Sequence, residues 1–231
     1  MQSADFADGG GLWYLACMDH LTAAHIRSML QRYEASGQRT VVTREDLLHS
    51  AVLVPIIVAG DEPTVLLTQR TEIVETHKGQ VAFPGGTVDP GDRDRVHTAL
   101  REMREEVGID ASDVEVCGML DDIATPTGFV ITPVVGLLHA EPQVRPNTDE
   151  VADVFSVPLA FFASPANAKQ EFRFAGGQQR EIWVYRYGSR IIWGATAAVL
   201  RQLLTVIMKP LPDRPTQTGR PPYTPSAGHT P

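Results

Sequence analysis

Residues 79–109 read GQVAFPGGTVDPGDRDRVHTALREMREEVGI, and no other segment constrains this chain as tightly. A rigid turn, Phe83-Pro84-Gly85-Gly86, leads into a stretch where Val96, Leu100, Met103 and Val107 recur at helical spacing. Gly108 follows as a C-cap. Glu102, Glu105 and Glu106 fall within about 100° on a different face of that helix. Like charges crowded this way repel one another unless a cation binds between them. Hard divalent ions such as Mg²⁺ or Mn²⁺ take oxygen ligands of this kind. Alone, the trio could be a solvated helix face. The turn before it, the cap after it and an apolar stripe able to dock on a sheet favour a site instead. Arg101 can pair with Glu105 one helical turn on.

These residues carry a resemblance. The run from Arg101 to Ile109 resembles the second half of the Nudix box, R-E-U-x-E-E-x-G-U with U a bulky aliphatic residue, and matches every fixed position. The first half departs from the pattern. Its Glu, six residues after the Gly, is Asp92 here, and eight residues rather than seven separate Asp92 from Arg101. Upstream, Leu66-Leu67-Thr68-Gln69-Arg70-Thr71, Gly79 and Phe83-Pro84-Gly85-Gly86 resemble the signature of the coenzyme A pyrophosphatase branch. Spacing matches throughout, but Glu75 stands where that signature has Arg. Arg70, His77 and Lys78 are then the nearby cations available to phosphate groups.

The resemblance implies a Nudix α/β/α sandwich with a mixed β-sheet over roughly residues 46–208. It implies metal-dependent hydrolysis of a diphosphate, with Glu102 and Glu106 as principal ligands to Mg²⁺ or Mn²⁺. Glu105 would be a further ligand, or an orienting carboxylate held by Arg101. The carbonyl of Gly86 would be an extra ligand, and Gly85 would lie beside it against the substrate. A carboxylate outside the helix is often recruited as general base in this family. Glu150, in Asn147-Thr148-Asp149-Glu150-Val151, is the candidate, because that acidic stretch lies on a loop between two strands. The implied substrate is coenzyme A or an acyl-coenzyme A, cleaved to 3′,5′-ADP and (acyl-)4′-phosphopantetheine. A second reading is hydrolysis of another nucleoside diphosphate derivative such as ADP-ribose or NADH. A third is a ligand sensor that has lost catalysis, against which stands the retention of all three glutamates.

Composition excludes other classes. With 231 residues and 43% hydrophobic content, the chain can bury a sizeable core. A net charge of −8 argues against a nucleic-acid partner. A small nucleotide substrate stays compatible, because ions and local cations invert the field at a site. No apolar run reaches membrane-spanning length, and the acidic N-terminal residues do not read as a secretory signal. Cys17 and Cys117 are far apart and read as free thiols, so a cytoplasmic protein is expected. Oligomeric state is open, with a homodimer as the assembly to test.

Pattern shifts divide the chain into residues 1–45, an extension with one amphipathic helix; 46–208, the hydrolase domain; and 209–231, a tail with seven prolines. The extension's helix spans about Thr22 to Ala35, with Thr22 as N-cap and Ile26, Met29, Leu30 and Tyr33 on one face, expected to pack on the domain. Ala51–Val58 and Thr64–Arg70 read as a hairpin. Further strands are expected at 114–120, 129–139, 154–157, 172–174 and 182–187, with a short helix at 158–163 and a terminal helix from Ile191 to Met208. The loop Thr125-Pro126-Thr127-Gly128 is expected to overhang the site. Phe83 and Trp193 are expected in the core, and His97, about 140° around the helix from Glu102, is not expected as a ligand.

Overall fold

The computed structural model describes residues 21–71, 79–175 and 178–208. Eight strands form the main sheet: β1 (Leu48–Ile57), β2 (Thr64–Arg70), β3 (Val81–Ala82), β4 (Gly85–Thr87), β5 (Val114–Met119), β6 (Ile123–Ala124), β7 (Phe129–Leu138) and β8 (Val151–Pro158). β1 and β7 run parallel from Leu48 opposite Phe129 to Ile57 opposite Leu138. The other pairings are antiparallel, so the sheet is mixed. The hairpin expected between β1 and β2 is much shorter than the sequence pattern implies. Only Ile56–Val65 and Ile57–Thr64 pair. β2, paired with β8 along its other edge throughout, then peels away from β1 to β3, and β4 takes the vacated edge of β1 at Ser50, Ala51 and Val52. That exchange of partners opens the sheet where the site is built.

Side-chain alternation separates two cores. On one face, Leu53 and Ile57 of β1, Leu66 of β2 and Val134 and Leu138 of β7 pack with Ala99, Met103 and Val107 of the helix Arg95–Val107. On the other, Val54, Ile56, Val65, Leu67, Val135 and Leu137 meet two more helices. These are α1 (Ala23–Ala35), which contributes Ile26 and Leu30, and the terminal helix, which contributes Leu200, Leu203 and Ile207. With α2 (Arg95–Val107) on its own face, the result is an α/β/α sandwich. Burial on both faces accounts for the nearly continuous apolar runs of β1 and β7.

Helix α1 begins as expected: the Thr22 hydroxyl accepts from the His25 backbone N–H at 3.2 Å. It packs on the domain, and Arg27 Nη2 donates to Glu115 Oε2 of β5 at 2.7 Å. The terminal helix starts later than its apolar pattern suggests. After the short α3 (Leu159–Ala163), strands β9 (Ala168–Ala175), β10 (Gln178–Tyr187) and β11 (Arg190–Trp193) form a second sheet. Ile191 and Ile192 pair across β10 with Arg186 and Tyr185 instead of joining the helix. Two β-branched residues facing a partner strand outweigh helical periodicity there. Gly194, at φ 64°, turns the chain into α4 (Gly194–Ile207). The Thr125–Gly128 turn is held by hydrogen bonds within itself, to Phe129 at the start of β7 and, from Leu48 N to Gly128 O at 2.9 Å, to the start of β1. Among the described residues, no helix is long and apolar enough to cross a membrane.

Candidate active site

Helix α2 is capped at both ends by its own sequence. Asp94 accepts from the His97 backbone N–H at 2.8 Å, and Gly108 ends the helix in the left-handed region at φ 77°. Between the caps, Ala99, Met103 and Val107 are fully buried against the sheet and set the rotation of the helix. That rotation aims Glu102 and Glu106 at β4 and leaves Glu105 outside. The side chain of Glu106 is 6% exposed, that of Glu102 is 14% exposed and that of Glu105 is 56% exposed.

Phe83 and Pro84 form the turn, and Gly85 and Gly86 open strand β4, so the two glycines are strand residues paired with Val52 and Ala51. Their requirement for glycine is close approach. A Cβ on Gly86 would lie 2.3 Å from Glu102 Oε1, and one on Gly85 would lie 2.5 Å from the Ala51 carbonyl oxygen. The Gly85 N–H donates to Glu106 Oε2 at 3.2 Å.

Asp92, where the resembled pattern has Glu, is the centre of a polar network. Its carboxylate is 1% exposed and accepts from Arg101 Nε and Nη2, each at 3.1 Å. It also accepts from the Thr98 hydroxyl at 2.9 Å and the Asp89 N–H at 3.0 Å, and lies 2.8 Å from His97 Nδ1. Arg101 carries this anchorage onward: Nη1 donates to Glu102 Oε1 and to Glu105 Oε2, each at 2.9 Å, and Nη2 to the Thr87 carbonyl at 3.1 Å. Sequence reasoning missed Thr98, Thr87 and His97 as partners here; the position of Asp92 six residues after Gly86 was the one available signal.

Burial pushes Glu106 up to about 7, with Glu102 and Glu150 adding repulsion, while the Gly85 N–H and Arg70 hold it down in part. Burial likewise raises Glu102 against the pull of Arg101. Asp92 is held well below the usual carboxylate range, first by Arg101. At both glutamates burial outweighs the neighbouring cations. Among the described residues, no three His, Cys, Asp or Glu side chains already converge as a cage. Arg101 contacts Glu102, and the Gly85 N–H and Arg70 contact Glu106. An all-oxygen donor set of two crowded, buried carboxylates beside a close backbone fits a hard divalent cation.

Arg70, at the end of β2, brings Nη1 to 3.6 Å from Glu106 Oε1. Glu150 is exposed, but its loop is strapped to the site. Asn147 N donates to the Glu106 carbonyl and Thr71 N to the Glu150 carbonyl, each at 2.9 Å. The Glu150 charge reaches both Glu102 and Glu106. Glu75, His77, Lys78 and Cys17 lie outside the described residues. Cys117 is a buried free thiol, pushed up to about 11 by that burial. Phe83 is in the core as expected, and Trp193 is partly exposed.

A family model described as NUDIX domain matches residues 47–175. Three relatives, each described as an uncharacterized Nudix hydrolase NudL, align over most of their own length. The Photorhabdus laumondii protein is 43% identical over 155 residues, covering 67% of this chain and 82% of that one. The Pectobacterium atrosepticum protein is 37% identical over 201 residues, covering 84% and 98%. The Escherichia coli K12 protein is 41% identical over 175 residues, covering 74% and 91%. A solved NUDIX hydrolase from Alicyclobacillus acidocaldarius is similar at 19% identity and a TM-score of 0.48, covering 70% of this chain and 93% of that one. With the glutamate helix, the sandwich and these relatives in agreement, the chain belongs to the Nudix family and is a Nudix pyrophosphohydrolase.

Proposed function

We propose that the chain hydrolyses the diphosphate linkage of coenzyme A or an acyl-coenzyme A, releasing 3′,5′-ADP and (acyl-)4′-phosphopantetheine. The observation that carries this reading is the meeting of Glu102, Glu106, Gly86 and Arg70 where β2 leaves β1. Two of the segments that meet there, LLTQRT and FPGG, are those that resemble the coenzyme A branch.

Nudix hydrolases use divalent ions, and Mg²⁺ or Mn²⁺ bound here would neutralise diphosphate charge and acidify the attacking water. Glu102 and Glu106 are the proposed principal ligands, with Glu105 and the Gly86 carbonyl as further oxygen donors. Arg101, braced on Asp92, keeps Glu102 and Glu105 oriented. Glu150 accepts the proton of the attacking water as general base. Arg70, His77 and Lys78 bind the phosphate oxygens, with the backbone of Gly85 and Gly86 alongside.

Product analysis by chromatography and mass tests this directly. Coenzyme A, ADP-ribose and NADH are each incubated with the protein and Mg²⁺ or Mn²⁺, beside Glu106→Gln. Release of 3′,5′-ADP from coenzyme A, dependent on metal and lost in the variant, is the expected result. Cleavage of ADP-ribose or NADH with coenzyme A intact would reject the substrate while keeping the reaction. Glu75, in place of the branch's Arg, is the residue that favours this second outcome.

A further inference from the structure

Arg70 ends β2 at an irregularity: the pairing with β8 shifts between Gln69 and Arg70, and Arg70 faces Val151, next to Glu150. Its backbone is fixed on both sides. Arg70 N donates to the Gln80 carbonyl at 3.0 Å, and Thr71 N to that of Glu150 at 2.9 Å. Its head group is held loosely among the described residues. Nη1 stands 3.6 Å from Glu106 Oε1, and Nε is buried with no hydrogen-bond partner among the described residues.

An arginine that pairs with a carboxylate for stability closes to about 2.8 Å, usually with two parallel bonds. Arg101 on Asp92 in this same site forms two parallel hydrogen bonds, each of 3.1 Å. Arg70 on Glu106 forms a loose contact instead, against a carboxylate whose side chain is only 6% exposed. The contrast between the two arginines distinguishes a permanent brace from an interim counter-ion.

We propose that Arg70 is a place-holder for the divalent ion. Before an ion binds, Arg70 partly neutralises Glu106. When the ion takes Glu106, like-charge repulsion drives the guanidinium off, and its Nε and Nη donors turn to the diphosphate. This rests on the reading of Glu102 and Glu106 as metal ligands. Metal and diphosphate then bind with positive coupling. The ion frees the arginine for phosphate, and the phosphate keeps the arginine off Glu106, so each tightens the other by the same factor.

The test is a calorimetric titration of Mn²⁺ into the full chain, without nucleotide and with a methylene-bridged, non-hydrolysable diphosphate analogue. Wild type is compared with Arg70→Gln and Arg70→Lys. Arg70→Gln is expected to bind Mn²⁺ alone about fivefold more tightly, since loss of a loose ion pair removes the competitor. In that variant the analogue no longer tightens Mn²⁺ binding as it does in wild type. Arg70→Lys, a point charge with shorter reach, falls between them. Unchanged or weaker Mn²⁺ affinity in Arg70→Gln, or coupling equal to wild type, overturns the place-holder. Wild type that binds no Mn²⁺ overturns the ligand reading beneath it as well, which separates the two failures. Should Arg70→Gln not fold, Arg70→Lys against wild type decides by the same criteria.

Discussion

Asp92 receives Arg101 through two parallel bonds of 3.1 Å, from a carboxylate that is 1% exposed. The pair spans the loop before α2 and the middle of that helix, so it sets where the Arg101 fork delivers its remaining donors. Replacing Asp92 by Asn removes the charge and turns one acceptor into a donor facing Arg101. We expect kcat to fall about 10- to 100-fold with little change in KM, as for supports of metal ligands generally. Stability should fall by on the order of 2 kcal/mol. Steady-state kinetics and urea unfolding check both. A variant with wild-type kcat would remove Asp92 from the positioning role.

Glu106 makes the metal-free protein sensitive to pH. Its folded-state value is raised to about 7 from an ordinary 4.5, so the folded state holds a proton that the unfolded state releases. Stability from this group is full below about pH 4.5 and is lost as pH rises through about 7. The loss approaches about 3 kcal/mol at pH 8 as an upper figure. In chelator, Glu106→Gln should therefore be more stable than wild type at pH 8 and show a flatter dependence of Tm on pH between 5 and 8. Adding Mg²⁺ at pH 8 should raise Tm in wild type and not in the variant. Parallel Tm profiles for the two proteins would refute the burial argument.

Gly86→Ala places a methyl group 2.3 Å from Glu102 Oε1. The strand can keep its pairing with Ala51, so the cost falls on the carboxylate. We expect a native circular dichroism spectrum and a loss of kcat/KM of about 100-fold or more, the scale of an ångström-sized misplacement. Wild-type turnover in this variant would mean that Glu102 need not hold its observed position.

Glu150 supplies the general-base test. Glu150→Gln should lower kcat about 100- to 10,000-fold and leave KM and Mn²⁺ affinity within about twofold of wild type, since the side chain is exposed and outside the proposed ligand set. A matched loss of metal affinity would make Glu150 a ligand instead.

Local spacing accounts for much that was legible beforehand. Thr22 and Gly108 cap their helices as read, because a cap depends only on residues within one turn. The β-branched runs of β1, β2 and β7 were visible for the same reason. The short β1–β2 pairing and the strand at Ile191–Ile192 were not, because partner choice depends on segments distant in sequence.

The site divides along the same line. That Glu102, Glu105 and Glu106 share one arc of a helix was determined by the sequence alone, since 3.6 residues per turn admits no other arrangement. So was the family, through the motif those residues complete. Which of the three would be buried was decided only by tertiary structure. β4 slides into the edge that β2 abandons, brings Gly85 and Gly86 against α2, and excludes water from Glu102 and Glu106 while leaving Glu105 exposed. Desolvation, and with it the raised proton affinity of Glu106 and the loose hold of Arg70, arises from that packing between distant segments and from no property of the helix itself.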